Sequence, residues 1–207
     1  MLTVTGFVRI RDYKVSRDGE VLTQPDVQGE PEKFLQRVYE SAGIDYPRFY
    51  KMDNLSGAGF LAAEILINKY AINKFQADAK GVILTNANAS LDTDKRYLEA
   101  IKRAPSPAIF VYTLPNIAAG EICIRHGIKG ENAFFITDEF DPGLLVSYVE
   151  EAFKVSEMNT CVTGWVDVVE HHHDVLLYLV EREPRGMALP HTIEQVSKLY
   201  SQVLWNS

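Results

Sequence analysis

The sequence is short of cysteine, of positive charge and of long apolar runs, and each shortage removes a class of function. Two cysteines, Cys123 and Cys161, cannot build a disulfide framework or a four-thiolate zinc site. Twenty-one Lys and Arg stand against 28 Asp and Glu, a formal charge of −7. A surface that tracks a phosphate backbone needs the opposite balance, so no nucleic-acid partner is expected. No apolar run approaches the roughly twenty residues that span a bilayer, and no membrane span is expected. The opening residues MLTVTGFVRIRDY lack the pattern of a secretory signal. A soluble cytoplasmic protein is the expectation. Neither G-x-G-x-x-G nor G-x-x-x-x-G-K-[ST] occurs, which removes the common dinucleotide and P-loop sites, and no cofactor is expected.

What is present is an ordinary folded composition: 207 residues, 46% apolar and 24% charged. Leu2–Arg11 alternates β-branched and polar residues as a half-buried strand does. A turn at Arg17-Asp18-Gly19 leads into a polar stretch reaching about Pro31, and helical spacing follows over Glu32–Glu40, closed by Gly43. Asp53 is placed to cap a broad apolar helix running to Tyr70. Gly81–Ala87, GVILTNA, reads as a central strand, and Asp92 or Thr93 opens a helix to about Arg103.

Ala108–Tyr112 reads as a short strand, Asn116–His126 as a small-residue helix and Ala133–Ile136 as another strand. Gly143–Val155 is helical and apolar almost all round. Thr160–Val169 and Val175–Glu181 read as strands joined through a polar turn at Glu170–Asp174. A last amphipathic helix carries Ile193, Val196, Leu199, Tyr200, Val203 and Leu204 on one face. Strands alternating with helices predict an α/β protein with a mostly parallel mixed sheet, helices on its faces, and a C-terminal hairpin plus helix.

The chemistry-bearing residues are few. Imidazoles at His171, His172 and His173 are metal-ligand types, but consecutive residues on extended chain point to opposite faces, so a solvated turn is the expectation and no metal site is assigned. His126 and His191 are read as a helix end and a helix start. Cys161 sits in TCVTG, which imitates a nucleophile before a turn, yet it enters a strand-like run and reads as a buried thiol; Cys123 reads likewise. Gly57-Ala58-Gly59 on an apolar helix reads as close helix packing. Between the strand at Ala133–Ile136 and the following helix lies Asp138-Glu139-Phe140-Asp141-Pro142-Gly143. Capping accounts for Asp141 and Pro142 and leaves Glu139 and Phe140 unexplained.

The order and spacing of these segments resemble the N-terminal half of a β-ketoacyl-acyl-carrier-protein synthase, a 3-oxoacyl-carrier acyltransferase of the thiolase-like superfamily. SPAIFVYTLPNIAAGEICIRHGIKGENAFFIT, Ser106–Thr137, resembles that family's strand-turn-helix run before the nucleophile, at Asn116, Ala119, Gly120, Gly130 and Asn132. TVTGFVRI resembles its opening strand, PRFYKMDNLSGAGFLAAEILI its first long helix and GVILTNAN its second strand. The resemblance covers residues 1–168, with residues 169–207 completing the same domain, and implies a thiolase-like fold.

Departures from the family decide the functional expectation. Its nucleophile is a cysteine in the turn after Ala133–Ile136. Counting from Asn132 puts Glu139 there, and anchoring on Gly143 puts Phe140 there. The histidines and lysine of the family's C-terminal half have no counterpart, so thiolate-based condensation is not expected of this chain alone. The resemblance implies a pseudoenzyme, a partner or scaffold in fatty-acid, polyketide or aryl-polyene-type acyl-chain synthesis. It would form a homodimer or a heterodimer with a full-length ketoacyl synthase, with an acyl carrier protein as a further partner. Two other expectations follow: altered chemistry with Glu139 or Asp138 as acid/base in an acyl pocket, or an acyl or small-molecule binding module.

Overall fold

The computed structural model describes residues 1–27 and 30–201. Eight strands form one sheet: β1 (Thr3–Arg11), β2 (Lys14–Arg17), β3 (Glu20–Thr23), β4 (Lys80–Asn86), β5 (Asn132–Ile136), β6 (Thr160–Val169), β7 (His172–Glu181) and β8 (Leu189–Pro190). Their order is β3-β2-β1-β7-β6-β4-β5, with β8 paired to β1. Parallel ladders join β4 to β5 and to β6, and the remaining ladders are antiparallel. Among β1, β7, β6, β4 and β5, β7 alone runs against the other four, so the common direction expected from the sequence is kept although fewer ladders are parallel than it suggests.

Helices cover both faces of the sheet: α1 (Phe34–Ser41), α2 (Asn54–Tyr70), α3 (Leu91–Ile101), α4 (Pro107–Val111), α5 (Ile117–His126), α6 (Pro142–Val155) and α7 (Ile193–Ser201). Strand alternation splits the core in two. Val8, Val82, Leu84, Val166 and Leu177 face α2 and α5, whereas Phe7, Ile83, Cys161, Leu176 and Tyr178 face α6 and α7. The breadth of the α2 apolar surface is explained by its position, since only Asn54, Asn68 and Lys69 of this helix are exposed. Gly57 and Gly59 lie on its packed faces, where an added Cβ would sit 3.5 Å from Phe49 and 3.4 Å from Val166. Asp53 caps α2 by accepting from Ser56 N at 2.9 Å, and Asp141 caps α6 by accepting from Leu144 N at 2.9 Å.

Five expectations need correction. Ala108–Tyr112 is not a strand: Ser106 caps and Pro107 opens the short helix α4, whose chain end is Val111. The stretch before Pro31 holds the β2–β3 hairpin around Asp18-Gly19. The turn between β6 and β7 is only Glu170-His171, because Val168 pairs with His173 and Val169 with His172. The α6 helix is two-faced: Leu145, Val149, Ala152 and Phe153 are buried under α7 and against the sheet, and Ser147, Glu151 and Lys154 are exposed. On α7, Val196 and Leu199 are buried but Ile193 is exposed; Val203 and Leu204 lie outside the described residues.

Candidate functional site

The turn from β5 into α6 sits at the carboxyl end of a parallel pair, where open α/β sheets mount their chemistry. Asp138 and Glu139 there are exposed, and among the described residues neither side chain enters a hydrogen bond or ion pair. The Glu139 carbonyl oxygen accepts from Thr137 Oγ1 at 2.8 Å, which shapes the turn. Phe140 turns inward. Its ring stacks on Tyr200 with centroids 4.0 Å apart and meets Trp165 edge-on at 6.0 Å. Tyr200 is fixed in turn: its hydroxyl donates to Asp174 at 2.6 Å, and the Arg11 guanidinium lies over its ring at 4.7 Å. Arg11 Nε donates to the other Asp174 oxygen at 2.8 Å. Burial, and then the Asp174 carboxylate, push the Tyr200 phenol up to about 12, so it stays a neutral donor. An aromatic stack therefore fills the space beside this turn.

The two cysteines are placed away from it. Cys161 lies on β6, fully buried, and burial raises its thiol well above the ordinary range. Cys123 is half-buried on α5, takes a contact from Asn132 Nδ2 at 3.2 Å, and burial raises its thiol to about 11. Neither is an activated nucleophile. The histidines diverge, as expected for extended chain: His171 and His172 are exposed, while His173 is buried between Tyr13 and Phe34. His191, expected at a helix start, precedes α7 by two residues and is buried against Tyr178. His126 ends α5 and lies 3.1 Å from Glu64. Among the described residues no three His, Cys, Asp or Glu side chains are grouped to hold a metal ion.

A concavity lies elsewhere, between the segment before α2 and the α3–α4 pair. It encloses about 540 Å³ and was not anticipated from the sequence. Met52, Ala108, Ile109 and Val111 supply apolar walls, and Arg48, Lys51 and Arg96 supply cations. Asp53 is spent within the fold, since its second oxygen accepts from Thr93 Oγ1 at 2.7 Å. Arg48 and the Tyr112 hydroxyl both donate to Glu121 Oε1 at 3.0 Å. Burial, then the Glu121 charge, raise the Tyr112 phenol to about 12. Lys51 and Arg96 have no carboxylate partner among the described residues.

The β5 edge is the second open feature. Among the described residues β5 pairs only with β4, so alternate backbone groups of Asn132-Ala133-Phe134-Phe135-Ile136 point away from the sheet. That strand has no charge and no proline, the usual devices that blunt an edge, and Ile136 is 56% exposed. Gly130, just before it, approaches the Asp78 and Lys80 carbonyls so closely that a Cβ would overlap them. No helix is long and apolar enough to cross a membrane among the described residues.

No protein-family model matches the sequence, and no curated protein matches it. Solved structures do match. An ishigamide ketosynthase/chain length factor aligns with a TM-score of 0.61 and 16% identity over 87% of this chain and 62% of its own. A chain of a ketosynthase in complex with its chain length factor, from Xenorhabdus doucetiae, aligns with a TM-score of 0.58 and 11% identity, covering 97% of this chain and 92% of that one. A β-ketoacyl synthase from Burkholderia phymatum STM815 aligns with a TM-score of 0.58 and 11% identity over 88% and 59%. The chain thus spans about three-fifths of the length of the first and third of these, and nearly all of the second. The strand order, the two helical layers and these alignments agree that the chain has the thiolase-like fold of ketosynthases and chain length factors.

Proposed function

We propose that the chain is a non-catalytic ketosynthase-like subunit that pairs with a ketosynthase and serves acyl-chain synthesis of the polyketide or aryl-polyene type. The observation that carries this reading is the β5 edge, uncharged, proline-free and open on one side. Such an edge is a template for another strand, and leaving it unpaired invites aggregation. A ketosynthase is the occupant favoured by the match to a chain of nearly equal length within a ketosynthase–chain length factor complex. The aromatic stack at Phe140 supports the non-catalytic half of the reading, because a phenyl ring held between Tyr200 and Trp165 offers neither nucleophile nor base. Asp138 and Glu139, beside it, are exposed to solvent.

In this reading residues 1–168 supply the ketosynthase-like part and residues 169–207 complete the same domain, consistent with β7 lying between β1 and β6. An acyl carrier protein is the third component of the assembly. The test is co-expression with a full-length ketosynthase of the same organism, followed by native mass measurement. A one-to-one complex lost in Ile136→Lys supports the proposal; a chain that stays monomeric or only self-associates beside the ketosynthase overturns it.

A further inference from the structure

We propose that His191 is a proton-operated latch for α7: a proton taken up by its buried ring releases the β8–α7 segment from the sheet and from α6, ahead of any unfolding of the sheet itself. The latch does not depend on the assembly proposed above. His191 joins β8 to α7, and its amide donates to the Leu2 carbonyl at 3.0 Å. Its ring is 2% exposed and lies 5.8 Å, centroid to centroid, from that of the fully buried Tyr178. Among the described residues neither ring nitrogen has a hydrogen-bond partner, and the Tyr178 hydroxyl has none either. The neutral ring already forgoes its bonds there. An imidazolium would bring a second unpaired donor and a full charge into the same place.

The surrounding elements do not offset that charge. β7 presents Tyr178, whose phenol burial holds well above its ordinary value. Into the same layer α6 sends Leu145, Val149 and Phe153, β1 sends Val4 and Phe7, and β6 sends the neutral Cys161. Their charged side chains are engaged elsewhere. Glu150, Lys154 and Arg182 edge a surface hollow beside Met1 and Leu2, and Glu194 pairs with Lys198 at 2.6 Å. Glu181 is held by Thr5 and Arg185, while Arg9, Arg11 and Asp174 act on Tyr200 at the far end of α7. Burial alone therefore moves the His191 imidazole, from 6.5 down to about 4. The helix it starts is lightly held, with Val196 and Leu199 its buried residues. Lifting nine helical residues costs less than opening the eight-stranded sheet, so the proton is accommodated by local release. Because Tyr200 stacks on Phe140, that release also uncovers the turn between β5 and α6.

The experiment is hydrogen–deuterium exchange of the full chain at pH 7.5 and 5.5, corrected for intrinsic rates, on peptides from residues 189–201 and from β6 and β7. In the released segment the imidazole titrates near 6.5, so the opening equilibrium rises about tenfold over this interval. Protection of residues 189–201 should fall by the same factor. His191→Leu, which keeps an apolar side chain against Tyr178, should abolish the fall. His173→Leu should leave it intact, because His173 packs with Tyr13 and Phe34 on the opposite face of the sheet. The sheet peptides, which exchange through global unfolding, should respond to both variants. Protection of residues 189–201 that is flat with pH, that falls equally in His191→Leu, or that follows β6 and β7 through both variants overturns the proposal.

Discussion

Two neutral imidazoles locked into the fold make acid the most informative perturbation of its stability. His191 is 2% exposed and His173, between Tyr13 and Phe34, is 7% exposed; among the described residues neither ring nitrogen of His191 and not Nδ1 of His173 has a hydrogen-bond partner. Burial pushes each imidazole from 6.5 down to about 4. The unfolded chain therefore binds more protons between these values, and stability falls as pH drops. It is complete above about pH 7 and lost progressively towards pH 4. At pH 5.5 each histidine costs about 1.4 kcal/mol relative to pH 7.5, so the pair costs ~3 kcal/mol, a large share of a typical domain's stability. Carboxylates with ordinary pKa remain charged there, which isolates the histidines. Urea unfolding at the two pH values reads the loss, and His191→Leu and His173→Leu should each remove about half of it. A stability that is flat over this interval, or a slope unchanged in both variants, would refute the reasoning.

Other perturbations read other parts of the structure. Gly164→Ala places a Cβ onto the Leu176 carbonyl at a φ of 144°, and a loss of about 3 kcal/mol or more in urea unfolding is expected. Asp53→Ala removes the α2 cap and the Thr93 bond together, lowering stability by about 2 kcal/mol, whereas Asp53→Asn should recover most of it. Phe140→Cys introduces a thiol beside the α6 N-terminus, yet incubation with an acyl thioester should leave the intact mass unchanged, because the ring contacts of Phe140 among the described residues are with Trp165 and Tyr200 and bring no base to that position. A stable acyl adduct would show that an active-site pocket survives.

Much of the fold was legible because its signals are local. Asp53 and Asp141 cap the helices they precede, and the apolar run at Gly81–Ala87 is an interior strand because both its faces are buried. Ala108–Tyr112 misled because five apolar residues carry no periodicity, although Ser106-Pro107 is a helix start in its own right. The β2–β3 hairpin was hidden by its short, exposed second strand. His173 was read as turn because its burial depends on Phe34 and Tyr13, distant in sequence. For the same reason the cavity left no trace: Arg48, Arg96 and Ile109 come from three separated segments, and each looks like an ordinary surface or packing residue by itself. The turn at Asp138–Phe140 was found from the sequence, but its filling by Tyr200 and Trp165 required the tertiary fold.

The central claim is that β5 is completed by a ketosynthase strand. Hydrogen–deuterium exchange on peptides spanning residues 132–136, measured for the chain alone and with the co-purified ketosynthase, addresses it directly. The account predicts fast exchange at the outward amides alone and strong protection in the complex, lost in Ile136→Lys. Unchanged exchange along β5 when the ketosynthase is bound would contradict it.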